Sequence, residues 1–178
     1  MLNYVSEGCS IETKAYGGND YYDTIYMYGY LKLNGVTVWQ SSFHREYPNE
    51  RGANVFIVDM STCTLAESRT YDTLGDVGAA AHLRDYLQGL SIGTVLVGIS
   101  ADEASTHLDA AEATLSALGA DVSDVGYRGA WTFVAEIGDP YKTVLDKELT
   151  EASAMARQPV ITTFLERTYF DLLQKQLS

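Results

Sequence analysis

Short apolar runs alternate with amphipathic segments between residues 51 and 134, and this order limits the possible folds more than any other feature. Val55–Val58 is apolar at every position, which is typical of a central strand that is buried on both faces. Thr94–Ser100 predicts a second strand, and Trp131–Glu136 predicts a third. These patterns predict strands separated by segments of a different periodicity.

Two segments between these strands carry apolar residues at helical spacing. In residues 76–88 the apolar stripe consists of Val77, Ala80, Leu83 and Leu87. In the second segment it consists of Leu108, Ala111, Leu115 and Leu118. Gly89 and Gly119 are placed to end the two helices, and the pair Thr106 and Asp109 resembles a capping box. Both stripes predict contacts with the core.

A β-hairpin is predicted around Asn34-Gly35. The two flanking runs, residues 24–33 and 36–40, are rich in aromatic and β-branched residues. Because a two-residue hairpin turn needs positive φ at both central positions, an Asn-Gly pair is among the strongest short-range signals for it.

The two ends of the chain differ from its middle. Residues 1–24 are predicted to form a polar lead, rich in Gly, Asn, Asp and Tyr. Residues 142–157 and 160–177 are predicted to be helical, with an apolar face in the second helix. That face consists of Phe164, Leu165, Tyr169, Leu172 and Leu173. We expect this helical C-terminal extension, residues 141–178, to pack on the domain or on a partner subunit.

The charge of the chain excludes some classes of partner. The formal net charge is −12, which argues against nucleic acid because phosphate binding needs a basic surface. No apolar run approaches the ~20 residues of a membrane helix, so no membrane insertion is expected. Met1–Tyr4 lacks the features of a secretory signal, so the chain is either not exported this way or numbered from a mature end.

Cys9 and Cys63 leave three interpretations open. Cys63 lies in a predicted turn between two strands, and neither cysteine has the spacing of a zinc site. A bridge within the chain and a bridge between chains both suit an extracellular protein. Two reduced thiols are the third interpretation.

The sequence does not predict an enzyme. The motifs of nucleophile elbows, P-loops and dinucleotide-binding turns are absent from the sequence. The three histidines, His44, His82 and His107, are scattered and form no predicted acid–base pair.

Five short sequence motifs, in the order in which they follow one another, resemble those of a known family. They are Arg51–Asp59, Glu67–Thr73, Gly75-Asp76, Thr94–Glu103 and Gly126–Val134. This succession resembles the interleukin-like EMT inducer domain, also called the GG or PANDER-like domain. The domain occurs in small secreted cytokine-like proteins, in the stem of the O-mannose N-acetylglucosaminyltransferase and in hyaluronan-handling surface proteins. The resemblance implies a single α+β domain over residues 25–140, with two packed β-sheets flanked by helices.

The resemblance also implies a carbohydrate-binding site formed by Arg51, Asp102 and Arg128, with Glu103 as a possible helper. Guanidinium and carboxylate groups suit the vicinal hydroxyls of a sugar. The family's Arg-Asp-Ser-Trp phrase is Arg128-Gly129-Ala130-Trp131 here, so a glycan other than that of the transferase stem is expected. Each residue also has a structural alternative. Arg51 caps a strand, Asp102 holds a loop through neighbouring N–H groups, and Arg128 bridges the sheet and a helix.

A second candidate surface is a cluster of tyrosines near Asp20 and Asp23. Its members are Tyr16, Tyr21, Tyr22, Tyr26, Tyr28 and Tyr30. A stabilising aromatic ladder on the hairpin is the simpler interpretation. The two aspartates offer oxygen ligands for Ca²⁺, although the spacing is not that of an EF-hand.

The function predicted from these features is that of an extracellular, non-enzymatic, lectin-like protein that binds terminal sugars of glycans, as a homodimer, with Ca²⁺ as an option. Two alternatives stay open. One is a secreted cytokine-like signal that binds a protein receptor. The other is a host-recognition module of a larger particle, such as a phage tail.

Overall fold

The structure is a computed structural model and is described for residues 8–17, 29–41, 50–148 and 160–165. These residues form nine strands and two helices. The strands are β1 (Ser10–Gly17), β2 (Tyr30–Leu33), β3 (Val36–Gln40), β4 (Gly52–Asp59), β5 (Thr64–Tyr71), β6 (Val95–Asp102), β7 (Ala130–Glu136), β8 (Asp139–Glu148) and β9 (Val160–Leu165). The helices are α1 (Ala79–Gln88) and α2 (Asp109–Ala117). The class is α+β, as predicted, and strands predominate.

The strands form one mixed sheet instead of the two separate sheets that were expected. One part contains β4 to β8, and β6 lies between β4 and β7 with antiparallel pairing on both sides. The other part contains β1, β2, β3 and β9. The two parts join where the end of β1 runs parallel to the end of β6, with Tyr16 opposite Ala101 and Gly17 opposite Asp102.

The two parts also pack against each other through a shared apolar cluster. The buried side chains of the cluster are Cys9, Ile11, Ala15, Leu31, Leu33, Phe56, Val58, Val95, Val97, Ile99, Ala130 and Val134. A second cluster joins α1 and α2 to the other face of the central strands and contains Leu83, Leu87, Leu115, Trp131 and Phe133. Burial of both faces explains why the central strands consist mainly of apolar residues.

The two helices confirm the predicted stripes with changes at their beginnings. α1 begins at Ala79, so Val77 precedes the helix and is 77% exposed. The predicted capping box of α2 is wrong. Leu108 is the N-cap, and the Thr106 hydroxyl donates its hydrogen bond to Glu103 at 3.2 Å instead of capping the helix.

The hairpin prediction is confirmed by β2 and β3. Asn34 and Gly35 have φ angles of 48° and 77°, the left-handed conformation that this turn requires. The Asn34 side chain also accepts a hydrogen bond from the Ser10 backbone at 2.8 Å, which ties the turn to β1. The predicted residues 24–28 of this hairpin lie outside the described residues.

Both ends of the chain contribute strands, which corrects two predictions. Ser10–Gly17, expected in a polar lead, is the largely buried strand β1. The predicted helices at 142–157 and 160–177 are replaced by β8 and β9 where the structure describes them. In β8 exposure alternates with a period of two, because the strand lies beside β7 with one side facing the core. β9 pairs with β1 along six residues.

Cys9 and Cys63 form a disulfide within the chain, which settles the three open interpretations. The bridge spans a sequence separation of 54 residues and connects the beginning of β1 to the turn between β4 and β5. It therefore joins the two parts of the sheet at a second place, distant from the contact between β1 and β6. None of the helices in the described residues is long and apolar enough to cross a membrane.

Candidate functional site

One edge of the sheet collects strand ends that are far apart along the chain. β1, β5 and β6 end there, and β4 and β7 begin there, because β6 runs parallel to β1 and antiparallel to its two other neighbours. We call this edge the rim and define it by Glu50, Arg51, Asp72, Asp102 and Arg128. β6 ends at Asp102 and β7 begins at Ala130, two residues after Arg128, and these two strands are paired.

Arg51 and Asp72 form a bidentate ion pair at the rim. The guanidinium Nε donates to Oδ1 at 2.9 Å and Nη2 donates to Oδ2 at 2.6 Å. The backbone N–H of Gly75 also donates to Asp72 Oδ1, at 2.9 Å. The hydrogen bond from Arg51 holds the pKa of Asp72 below its ordinary value, although partial burial opposes the shift. The pair is partly open to solvent, with side-chain exposures of 26% and 42%.

The Asp102 carboxyl is influenced by the charges of both rim arginines. Burial raises the pKa of this carboxyl above its ordinary value, and the nearby guanidinium groups of Arg128 and Arg51 act in the opposite direction. Asp102 ends β6 in the left-handed conformation, with φ of 61°. Asp and Asn adopt this conformation more readily than most residues, which accounts for the residue type at this strand end.

Arg128 stands in a turn that is held from two sides. Its backbone N–H donates to the Glu103 carboxylate, and its φ is 61°. Its carbonyl lies against Gly17, where an added Cβ would come to 2.0 Å from the carbonyl oxygen. Position 17 therefore requires glycine, since the end of β1 lies too close to the Arg128 backbone for a side chain. The guanidinium lies 5.3 Å from the centre of the Tyr127 ring.

Glu103 supports the rim from below its surface. The residue is 0% exposed, and Oε1 accepts hydrogen bonds from the backbone and side chains of Ser105 and Thr106. Oε2 accepts the backbone N–H of Arg128. A fully buried carboxylate with these partners holds the turn that carries Arg128, and we assign Glu103 this positioning role.

Two residues that were not predicted for this site are Glu50, which belongs to the rim, and Tyr16, which lies beside it. Glu50 has φ of 74°, so three of the six non-glycine residues with positive φ in the described ranges belong to the rim. Such conformations concentrate at functional sites because the surrounding structure must stabilise them. Burial raises the pKa of Tyr16 to about 12, and the charges of Asp102 and Glu50 add to the shift. The position of Glu50 directly before Arg51 was the available signal.

The second candidate surface is described only in part. Tyr16 is buried beside the rim, and the Tyr30 hydroxyl donates to Glu12 Oε1 at 2.6 Å on the hairpin. The remaining four tyrosines, with Asp20 and Asp23, lie outside the described residues. Within the described ranges no group of three or more His, Cys, Asp or Glu side chains is arranged to hold a metal ion.

The fold and the rim together define the class: an α+β domain whose central strands end at a polar, partly exposed edge. The chain matches the interleukin-like EMT inducer family over residues 51–139, which is half of its 178 residues. The chain therefore belongs to the interleukin-like EMT inducer family, as the sequence phrases predicted. The match begins at Arg51 and includes the rim residues from Arg51 to Arg128. No curated protein matches the chain.

Proposed function

We propose that this protein is a non-enzymatic, lectin-like carbohydrate-binding protein whose site is the rim. The observation that carries the proposal is the placement of Arg51, Asp102 and Arg128 at one sheet edge, where all three are partly exposed. Guanidinium groups donate pairs of hydrogen bonds and a carboxylate accepts them, which suits adjacent sugar hydroxyls.

The charges at the rim favour a neutral ligand. The guanidinium groups of Arg51 and Arg128 lie near the carboxylates of Asp72 and Asp102. Two further carboxylates add negative charge, that of Glu50 near Tyr16 and that of the buried Glu103. Anionic groups on a ligand would meet this excess of negative charge, in a protein whose net charge is −12. We therefore expect terminal sugars without acidic substituents. The Asp72 carboxylate is paired with the Arg51 guanidinium instead of with a second carboxyl as general acid and base, which supports binding without catalysis.

We also propose that the protein acts outside the cell and as a homodimer. The disulfide supports the location, because such bridges persist in oxidising compartments. Edge strand β3, on which Val36 is 65% exposed, offers an apolar surface for a second copy. Two sites on one particle would increase the avidity for a glycan surface. Sedimentation equilibrium tests the dimer, and a monomer at micromolar concentration would remove it.

A glycan array with and without EDTA tests the main proposal. We expect signals from neutral terminal sugars, with galactose-, glucosamine- and mannose-type ligands as the first set, and weaker signals from sialylated ones. Loss of the signal in EDTA would mean that Ca²⁺ takes part in binding. An unchanged signal would mean that the protein groups bind the glycan without a metal ion. The lectin proposal is abandoned if neither condition gives a glycan signal.

The description of the family favours one second candidate. The words interleukin-like inducer describe signalling, so a cytokine-like protein that binds a protein receptor is the alternative. A pull-down of one receptor from cell extracts that free sugars do not reduce would favour this function over glycan binding.

A further inference from the structure

Tyr127 is an exposed aromatic residue beside the rim. Its side chain is 54% exposed, whereas two other large aromatic residues at this end of the sheet, Tyr16 and Trp131, are buried. The Arg128 guanidinium lies next to this ring, 5.3 Å from the ring centre. This distance is within the range of a cation–π contact. The exposed Tyr127 ring is therefore adjacent to the guanidinium group that we propose binds the sugar.

The turn that carries Tyr127 is held in place although the ring is exposed. The backbone N–H of Gly129 donates to the Gly126 carbonyl at 2.9 Å, which closes the turn around Tyr127 and Arg128. The next residue, Arg128, is bound through its own N–H to the buried Glu103. Hydrogen bonds therefore fix the backbone on both sides of Tyr127. A ligand that binds here loses less conformational entropy of the protein than one that must order a free loop.

The geometry points to Tyr127 as the stacking surface of the site: we propose that its ring packs on the apolar C–H face of a neutral pyranose whose hydroxyls are bound by Arg128 and Asp102. The inference rests on the proposed function and adds a residue and a ligand feature to it. The site then selects sugars that present a continuous C–H face next to a pair of free hydroxyls. Sugars with a bulky or charged group on that face are excluded by contact with the ring.

Binding measurements on Tyr127→Ala and Tyr127→Phe test this inference. The probes are the methyl glycosides of galactose, N-acetylglucosamine and mannose, titrated calorimetrically against the full chain. We expect the dissociation constant of the bound glycoside to rise about tenfold for Tyr127→Ala and to change less than about twofold for Tyr127→Phe, which keeps the ring. Tyr141→Ala is the matched control, because Tyr141 is 97% exposed on β8 at the other end of the sheet.

The outcomes separate the inference from the function on which it rests. If wild type binds a glycoside and Tyr127→Ala binds it equally well, the stacking role is overturned and the lectin function stands. If wild type binds none of the probes and no glycan on an array, both fail. In wild type the ring protons of Tyr127 must also shift in NMR spectra when the glycoside is added. Unchanged ring signals overturn the inference even if the alanine variant does not fold.

Discussion

The central strands have two ends, and the two ends use their polar residues differently. At the end opposite the rim, which we call the closed end, β4 turns into β5 over residues 60–63 and β7 turns into β8 over residues 137–138. There Asp59 Oδ1 accepts hydrogen bonds from the backbone and the hydroxyl of Ser61, at 2.9 and 2.6 Å. Polar groups at the closed end therefore stabilise the turns in which they lie.

At the rim, polar side chains contact partners from distant parts of the chain. Arg51 pairs with Asp72, and Arg128 is positioned by Glu103, 25 residues before it. The strand ends adopt left-handed conformations at Glu50, Asp102 and Arg128. The comparison shows that one end of the same strands is used for stability. The other end keeps partly exposed charges, whose arrangement depends on long-range contacts.

Removal of the disulfide is expected to have the largest effect and to affect stability alone. In the double variant Cys9→Ser and Cys63→Ser, the loop between them is no longer closed in the unfolded chain, so about 4 kcal/mol of unfolding free energy is lost. Chemical denaturation under non-reducing conditions measures this loss. Because Cys63 lies at the closed end, glycan binding below the unfolding temperature is expected to stay unchanged. A loss of stability under 1 kcal/mol would show that the bridge does not constrain the chain.

The next effect is that of Glu103→Gln, which connects stability to binding. The amide supplies a donor where the carboxylate accepts, so a buried donor at Ser105, Thr106 or Arg128 loses its partner, at a cost of about 2 kcal/mol. The displaced Arg128 turn is also expected to weaken glycan binding. Glu67→Gln on the exposed face of β5 is the control. Equal stability of the two variants would contradict the positioning role.

Replacement of a rim arginine is expected to affect binding more than stability. In Arg51→Met the ligand loses a charged donor, which costs about 2 kcal/mol of binding. The exposed ion pair with Asp72 contributes less than about 1 kcal/mol to folding.

The control for Arg51→Met is Lys142→Met at the closed end, which removes an ion pair of similar length to Glu136, 2.7 Å. Calorimetric titration with the bound glycoside and thermal melts should show loss of binding for Arg51→Met alone. Equal affinities in the two variants would mean that the rim is not the site.

The smallest expected effect is the pH dependence of binding, which distinguishes the two aspartates. The pKa of Asp102 is raised by burial and that of Asp72 is lowered by Arg51. As pH falls, Asp102 is therefore protonated at a pH above 3.8, the ordinary pKa of an aspartate. Asp72 stays ionised until the pH is below 3.8. Glycan affinity should fall by about 1 kcal/mol across this window, since a charged acceptor becomes neutral.

The same shifts have opposite consequences for folding. Asp72 stabilises the fold above its unfolded pKa, and this contribution is lost as pH falls through its lowered folded pKa. Protonated Asp102 stabilises the fold below its ordinary pKa of 3.8, and this contribution is lost as pH rises through its raised folded pKa. Asp102→Asn keeps the left-handed conformation and should remove the pH dependence of binding in this window. Binding by this variant that still changes with pH would assign the titration to another group.

Local signals in the chain predicted the elements whose stabilising contacts are close in sequence. The hairpin at Asn34-Gly35 was predictable because its turn needs two residues that tolerate positive φ. The stripes of α1 and α2 were predictable because helical contacts repeat every three or four residues. The strand β9 was not, because residues 160–165 gain strand structure by pairing with β1, about 150 residues earlier in the chain.

The amino-acid sequence supplied the residue types of the candidate site and the family motifs that contain Arg51, Asp102 and Arg128. It also determined that β6 delivers an acid at its end, since an apolar run is followed directly by Asp102-Glu103. Which of these two acids is accessible depends on how the chain folds, because adjacent residues at a strand end face opposite ways. Glu103 is buried and accepts a hydrogen bond from the Arg128 backbone, whereas Asp102 stays partly exposed, near the charges of Arg51 and Arg128.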